Sequence, residues 1–201
     1  MMLLHFVIML VSFIIWRCHG DTNAMVAWNS FRMDNGIFLV DRSYPDPERT
    51  TCVYLINRRP IKENVKIEAS YAHLKDNKKY AEDPYVIQAE AEEGDRTLFN
   101  ASTMSVGNGT VFTFKLEFVD HSFRCWVVRR LPNEDSGPVC MLWAPKQHAC
   151  NTDHLRPCRD KYNELKCASD ETLKSLCDST ITCPPPCKYG GDHSQAQSAC
   201  G

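Results

Sequence analysis

Within Val111-Phe112-Thr113-Phe114-Lys115-Leu116-Glu117-Phe118-Val119, apolar and polar side chains alternate from Phe112 to Phe118. Phe112, Phe114, Leu116 and Phe118 fall to one side, and Thr113, Lys115 and Glu117 to the other. A period of two is that of an extended strand with one dry face and one wet face. A helix would scatter the same phenylalanines around its circumference.

The pattern recurs upstream. Val65, Ile67, Ala69 and Tyr71 oppose Lys66, Glu68 and Ser70, while Tyr85, Ile87, Ala89 and Ala91 oppose Val86, Gln88, Glu90 and Glu92. Turn-forming clusters at Tyr44-Pro45-Asp46-Pro47, Glu93-Gly94-Asp95, Gly107-Asn108-Gly109 and Pro132-Asn133-Glu134 divide the region from Gly36 to Trp143 into about eight short strands. This spacing predicts an all-β barrel or sandwich. From Asp153 to Leu176 the alternation is absent apart from Thr172, and Leu, Lys, Glu and Arg predominate, which predicts one helix with a break near Ser169. Cys183-Pro184-Pro185-Pro186-Cys187 and a Gly, Ser and Gln-rich end then predict an irregular tail.

The amino terminus sets the compartment. An apolar run from Phe6 to Trp16 precedes Cys18-His19-Gly20 and the polar Asp21, the pattern of a secretory leader. Its core of about ten residues is short of the roughly 18 that span a bilayer, so no membrane anchor is expected after cleavage. The chain therefore divides into a leader over 1–20, a barrel with its helix over 21–177, and a Cys/Pro-rich tail over 178–201. Of the eleven cysteines, the leader carries Cys18, and the remaining ten are an even set suited to full pairing in an oxidising compartment. Asn100-Ala101-Ser102 and Asn108-Gly109-Thr110 are N-glycosylation sequons, and Asn100 is out of phase with Phe99 and Ala101, as an outward-pointing sugar requires. Losing Arg17 leaves 22 basic against 25 acidic residues. That near-neutral balance carries no nucleic-acid footprint.

The order Trp28, Asp41-Arg42-Ser43-Tyr44, Thr51-Cys52-Val53-Tyr54, Phe123-Arg124-Cys125-Trp126-Val127, Cys140-Met141-Leu142-Trp143, then Cys158 and Cys167 around a helix resembles the salivary lipocalins of ticks. The general lipocalin Gly-x-Trp is reduced to Trp28. The resemblance implies an eight-stranded antiparallel up-and-down barrel packed against a C-terminal helix, with a ligand inside. It also implies the pairs Cys125–Cys158 and Cys140–Cys167, and a bond from Cys52 to Cys177 or Cys183. Cys150, Cys187, Cys200 and the remaining one of Cys177 and Cys183 would complete two tail bridges. In the family's amine-binding signature, Trp126 stands here for an aspartate and Met141 for the glutamate that meets the ammonium. A buried ammonium without a carboxylate is costly to desolvate, so this position speaks against histamine or serotonin.

The side chains expected inside are Ile67, Tyr71, Tyr85, Ile87, Phe112, Phe114, Phe118, Met141 and Trp143, as lining for a small lipid such as a sterol, fatty acid or eicosanoid, or else as plain core. Asp41 shares the phase of Ile37 and Leu39 and is the one carboxylate this could point inward, against the alternative of an exposed strand end. With Tyr54 it completes the candidate ligand set. Cys150, His148, His154 and Cys158, with Cys183 or Cys187, lack the compact spacing of a zinc site, and no metal or cofactor is expected. Asp120-His121-Ser122 falls at an expected hairpin turn, where chain neighbours seldom converge as base and nucleophile. No Gly-x-Ser-x-Gly, His-Glu-x-x-His or phosphate-binding glycine loop is present. These readings describe a secreted binder of a small hydrophobic or amine ligand, with a host protein as the alternative partner, and not an enzyme.

Overall fold

The computed structural model describes residues 36–44, 50–62, 66–74, 80–89, 98–103, 111–131 and 137–167. The leader, Trp28, Asn108, Cys177, Cys183 and the tail lie outside them. The strands are β1 (Ile37–Arg42), β2 (Thr51–Lys62), β3 (Lys66–Leu74), β4 (Tyr80–Ala89), β5 (Leu98–Thr103), β6 (Val111–Val119), β7 (Trp126–Leu131) and β8 (Cys140–Pro145), followed by helix α1 (Thr152–Glu164). Every strand pairs antiparallel with the next, and β1 with β8, so the sheet closes into a barrel. Closure resolves the choice between barrel and sandwich and leaves no sheet edge unpaired.

Two apolar clusters lie on either side of this sheet. The inner one includes Ile37, Leu39, Val53, Leu116, Trp126, Val128, Met141 and Trp143. The outer one joins Phe38, Val40, Val127, Leu142 and Ala144 to Leu155, Cys158 and Tyr162 of α1. Those three helical positions share a face at the spacing of an amphipathic helix. Cys125–Cys158 and Cys140–Cys167 bond that helix to the sheet. Cys52 and Cys150 are disulfide-bonded as well.

The helix has well-defined ends. Asn151 caps its start, with Oδ1 accepting from the amides of Asp153 and His154 at 3.1 Å each. At its end, Lys166 adopts φ 59°. The Lys166 and Cys167 amides turn back to the carbonyls of Asn163 and Tyr162, a Schellman closure. Of the helix expected over Asp153 to Leu176 with a break near Ser169, the described part ends at Glu164, and residues 168–176 lie outside the described residues. A left-handed residue and the Cys167 bridge redirect the chain at that point.

Two bulges decide which side chains face in. Leu39 pairs with Trp143 but Asp41 with Leu142, so β1 holds one extra residue, and Leu116 pairs with Val128 but Phe118 with Val127, so β6 does too. Each extra residue reverses the alternation beyond it.

Candidate functional site

A cavity of about 550 Å³ occupies the barrel interior, within the roughly 300–1,000 Å³ typical of small-molecule pockets. β3 and β4 contribute Tyr71, Tyr85 and Ile87, β6 contributes Phe112 and Phe114, and β8 contributes Met141 and Trp143. Tyr71 and Tyr85 meet edge to face at 6.2 Å, and the Phe112 and Phe114 rings lie 6.4 Å apart. All seven are among the side chains expected inside, Met141 and Trp143 through the family resemblance and the other five through alternation. Trp126 and Leu116 pack nearby in the inner cluster, Trp126 being fully buried.

Other expected positions lie elsewhere. Asp41 follows the β1 bulge and so points to the helix side, where Oδ2 accepts from Arg159 Nη1 at 3.2 Å. Phe118 follows the β6 bulge and packs against the outer cluster. Tyr54 is also an outer residue, with its ring 5.3 Å from that of Phe38, because Leu55 takes the inward place beside it. Ile67 sits opposite Ile87, and Asn100 opposite Gln88 and Thr113, with both side chains outside the described residues.

Tyr44, Leu55, Ala101, Val128, Arg130 and Val139 complete the lining. Val128 and Arg130 share one face of β7 with Trp126, a signal present in the sequence but cut short by the Pro132 turn. Arg130 is the one ionised side chain among the lining residues, and its guanidinium carbon stands 4.6 Å from the Phe112 ring centroid. Tyr44 reaches Met141 through a 3.7 Å hydroxyl–sulfur contact. Burial first, then the charges of Asp83 and Tyr44, raise the pKa of Tyr85, so its hydroxyl stays protonated and able to donate near neutrality.

Asp120, His121 and Ser122 form a turn at the opposite end of the barrel. The buried Asp120 carboxylate accepts from Arg124 Nε at 2.8 Å and Nη2 at 3.1 Å, and from the Ser122 amide at 3.2 Å. These bonds, led by the Arg124 side chain, hold its pKa low. The group is a turn lock, with His121 exposed beside it. Among the described residues no three His, Cys, Asp or Glu side chains gather as a metal site.

A closed antiparallel barrel, a C-terminal helix across its outer wall and an internal apolar cavity define a lipocalin-like carrier of small molecules. Residues 20–182 match the model of the tick histamine binding protein family, and the chain belongs to that family. Its members are binding proteins. No curated protein matches the sequence. Among solved structures, apocrustacyanin C2 superposes with a TM-score of 0.52 at 8% identity, covering 74% of this chain and 79% of its own. Lobster apocrustacyanin A1 gives 0.49 at 7% identity, covering 68% and 72%. The C2 likeness concerns the fold alone.

Proposed function

We propose that this protein is secreted and sequesters a small apolar or amphipathic lipid in its barrel, neutralising a host mediator without altering it chemically. The supporting observation is the lining: aromatic and aliphatic side chains surround about 550 Å³, with Met141 where the family signature has a glutamate. Apolar surface leaving water there contributes roughly 25 cal/mol per Å², and the Tyr44 and Tyr85 hydroxyls can orient one polar group.

A biogenic amine is the competing reading, since the family carries histamine in its name. It requires a carboxylate to receive the ammonium, and the lining residues offer Arg130 in its place. Native mass spectrometry of protein secreted from animal cells, followed by solvent extraction, tests the proposal. A bound lipid, or uptake of an added sterol, fatty acid or leukotriene in preference to histamine, is the expected result. Protein that ignores those lipids, or prefers histamine, would overturn it.

A further inference from the structure

We infer that residues 168–201, which follow the described part of the chain, form a strap anchored by disulfides at both ends of the barrel, lying beside α1 and covering the outer face of β2 and β3. The inference is independent of what the cavity holds.

The anchors are Cys52 and Cys150. Cys125 pairs with Cys158 and Cys140 with Cys167, while Cys52 and Cys150 are disulfide-bonded to partners outside the described residues. They cannot serve each other. Ala144 and Tyr54 flank Phe38 on neighbouring strands, so β8 and β2 stand two strand spacings apart, roughly 10 Å, beyond the ~7 Å that a disulfide tolerates between Cα atoms. Cys52 lies from Tyr54 toward one end of the barrel and Cys150 past Pro145 toward the other, which widens the gap.

In the mature chain the remaining cysteines are Cys177, Cys183, Cys187 and Cys200, all in one segment. Two of them meet Cys52 and Cys150, and the other two pair together. Each bond forms by exchange with a donor disulfide of the secretory route, which takes up the thiols' electrons and protons. The family resemblance already implies the bond to Cys52. The second anchor, at the far end, forces a path on the segment.

That path begins where the described chain ends. Cys167 is bonded to Cys140, the first residue of β8, and the Ser43 amide donates to the Cys140 carbonyl at 3.0 Å. Residue 168 therefore starts at the end of the barrel where β1 finishes and β2 begins, the end that holds Cys52. A second bond, to Cys150, takes the segment along the length of the wall. The six residues of β8 span roughly 20 Å at about 3.3 Å each, well within the reach of 168–201.

A buried patch lies along this route. α1 packs chiefly on β6, β7 and β8, and reaches β1 through Arg159 and Asp41. Yet the outward side chains of the next two strands are buried as well: Tyr54 and Ala72 are 0% exposed, Ile56 4% and Ser70 6%. Tyr54 faces Ala72 and Ile56 faces Ser70 in the β2–β3 register, so the four form one patch. The strap gives this patch its second layer, as α1 does for β7 and β8, and carries Leu173, Leu176, Ile181 and Tyr189 to set against it. A tail held in this way is part of the scaffold, and a protein partner would meet it as a fixed surface and not as a free arm.

Peptide mapping of the non-reduced, full-length secreted protein tests the anchors. Cys52 and Cys150 should each appear joined to a peptide from 168–201. A bond from either to Cys18, a bond between the two, or tail cysteines paired only with one another would overturn the inference. Photo-cross-linking of the same chain, with p-benzoylphenylalanine in place of Glu82, tests the cover, because Glu82 is half-buried opposite Ala72 at the border of the patch. A cross-link to a peptide from 168–201 is the expected result. Cross-links confined to residues 21–35 or to other segments, or none at all, would overturn the strap's placement even with both anchors found.

Discussion

The two sides of the barrel are built differently. β1 and β8 are buried at every position, because the inner cluster covers one face and α1 the other. β6 has a single buried residue, Leu116. Both walls line the cavity, but the helix-backed side is also covered on its outer face by α1 and tied by two bridges, whereas β6 across the barrel is mostly half-buried. A small barrel can thus hold an unfilled centre by concentrating its packing in one wall.

Removing both bridges from the helix-backed wall, with serine at Cys125, Cys158, Cys140 and Cys167, should have the largest effect. Each native bridge contributes roughly 2–5 kcal/mol in small secreted domains. Chemical denaturation should show the combined loss, and a loss below that of a single bridge would mean that packing alone fixes this wall.

Paired truncations sharpen the contrast. Leu142→Ala should cost about 2–5 kcal/mol, since its surroundings are packed on both sides, and Phe112→Ala about half as much, because it enlarges a space that already exists. Equal costs in urea titrations would erase the distinction between the walls.

A smaller effect should come from acidification at the base of the helix. His148 and His154 bring their Nδ1 atoms within 2.9 Å, and burial first, then the charges of His154 and Arg124, lower the pKa of His148. The folded protein therefore binds this proton less readily than the unfolded chain. Stability should be complete above the ordinary histidine value of 6.5 and decline as pH falls below it. Thermal unfolding at pH 7.5 and 5.5 reads the slope, which His148→Gln should flatten.

The smallest change should be a gain. Lys166 is exposed and left-handed, and Lys166→Gly should stabilise by about 1 kcal/mol by relieving the Cβ clash. A loss in thermal unfolding would show that the lysine side chain contributes more than its conformation costs.

Much of the lining was legible because alternation is a local property: Phe112 and Phe114, or Tyr85 and Ile87, share a face wherever the strand is regular. Asp41 and Phe118 were misplaced for the same reason, since each follows a bulge visible only in the partner strand's register. Arg130 escaped notice because an arginine beside a Pro-Asn turn reads as solvent-facing, and only closure of β7 onto β8 directs it inward. The helix end at Lys166 carried no glycine to announce it.

The β1 and β6 bulges have an evolutionary consequence. In a cylinder of fixed girth, gaining or losing one codon within a strand exchanges inside for outside over everything up to the next turn. A lineage can thereby present a new set of chemical groups to its guest in one genetic step, while the covalently fastened half of the molecule holds its shape.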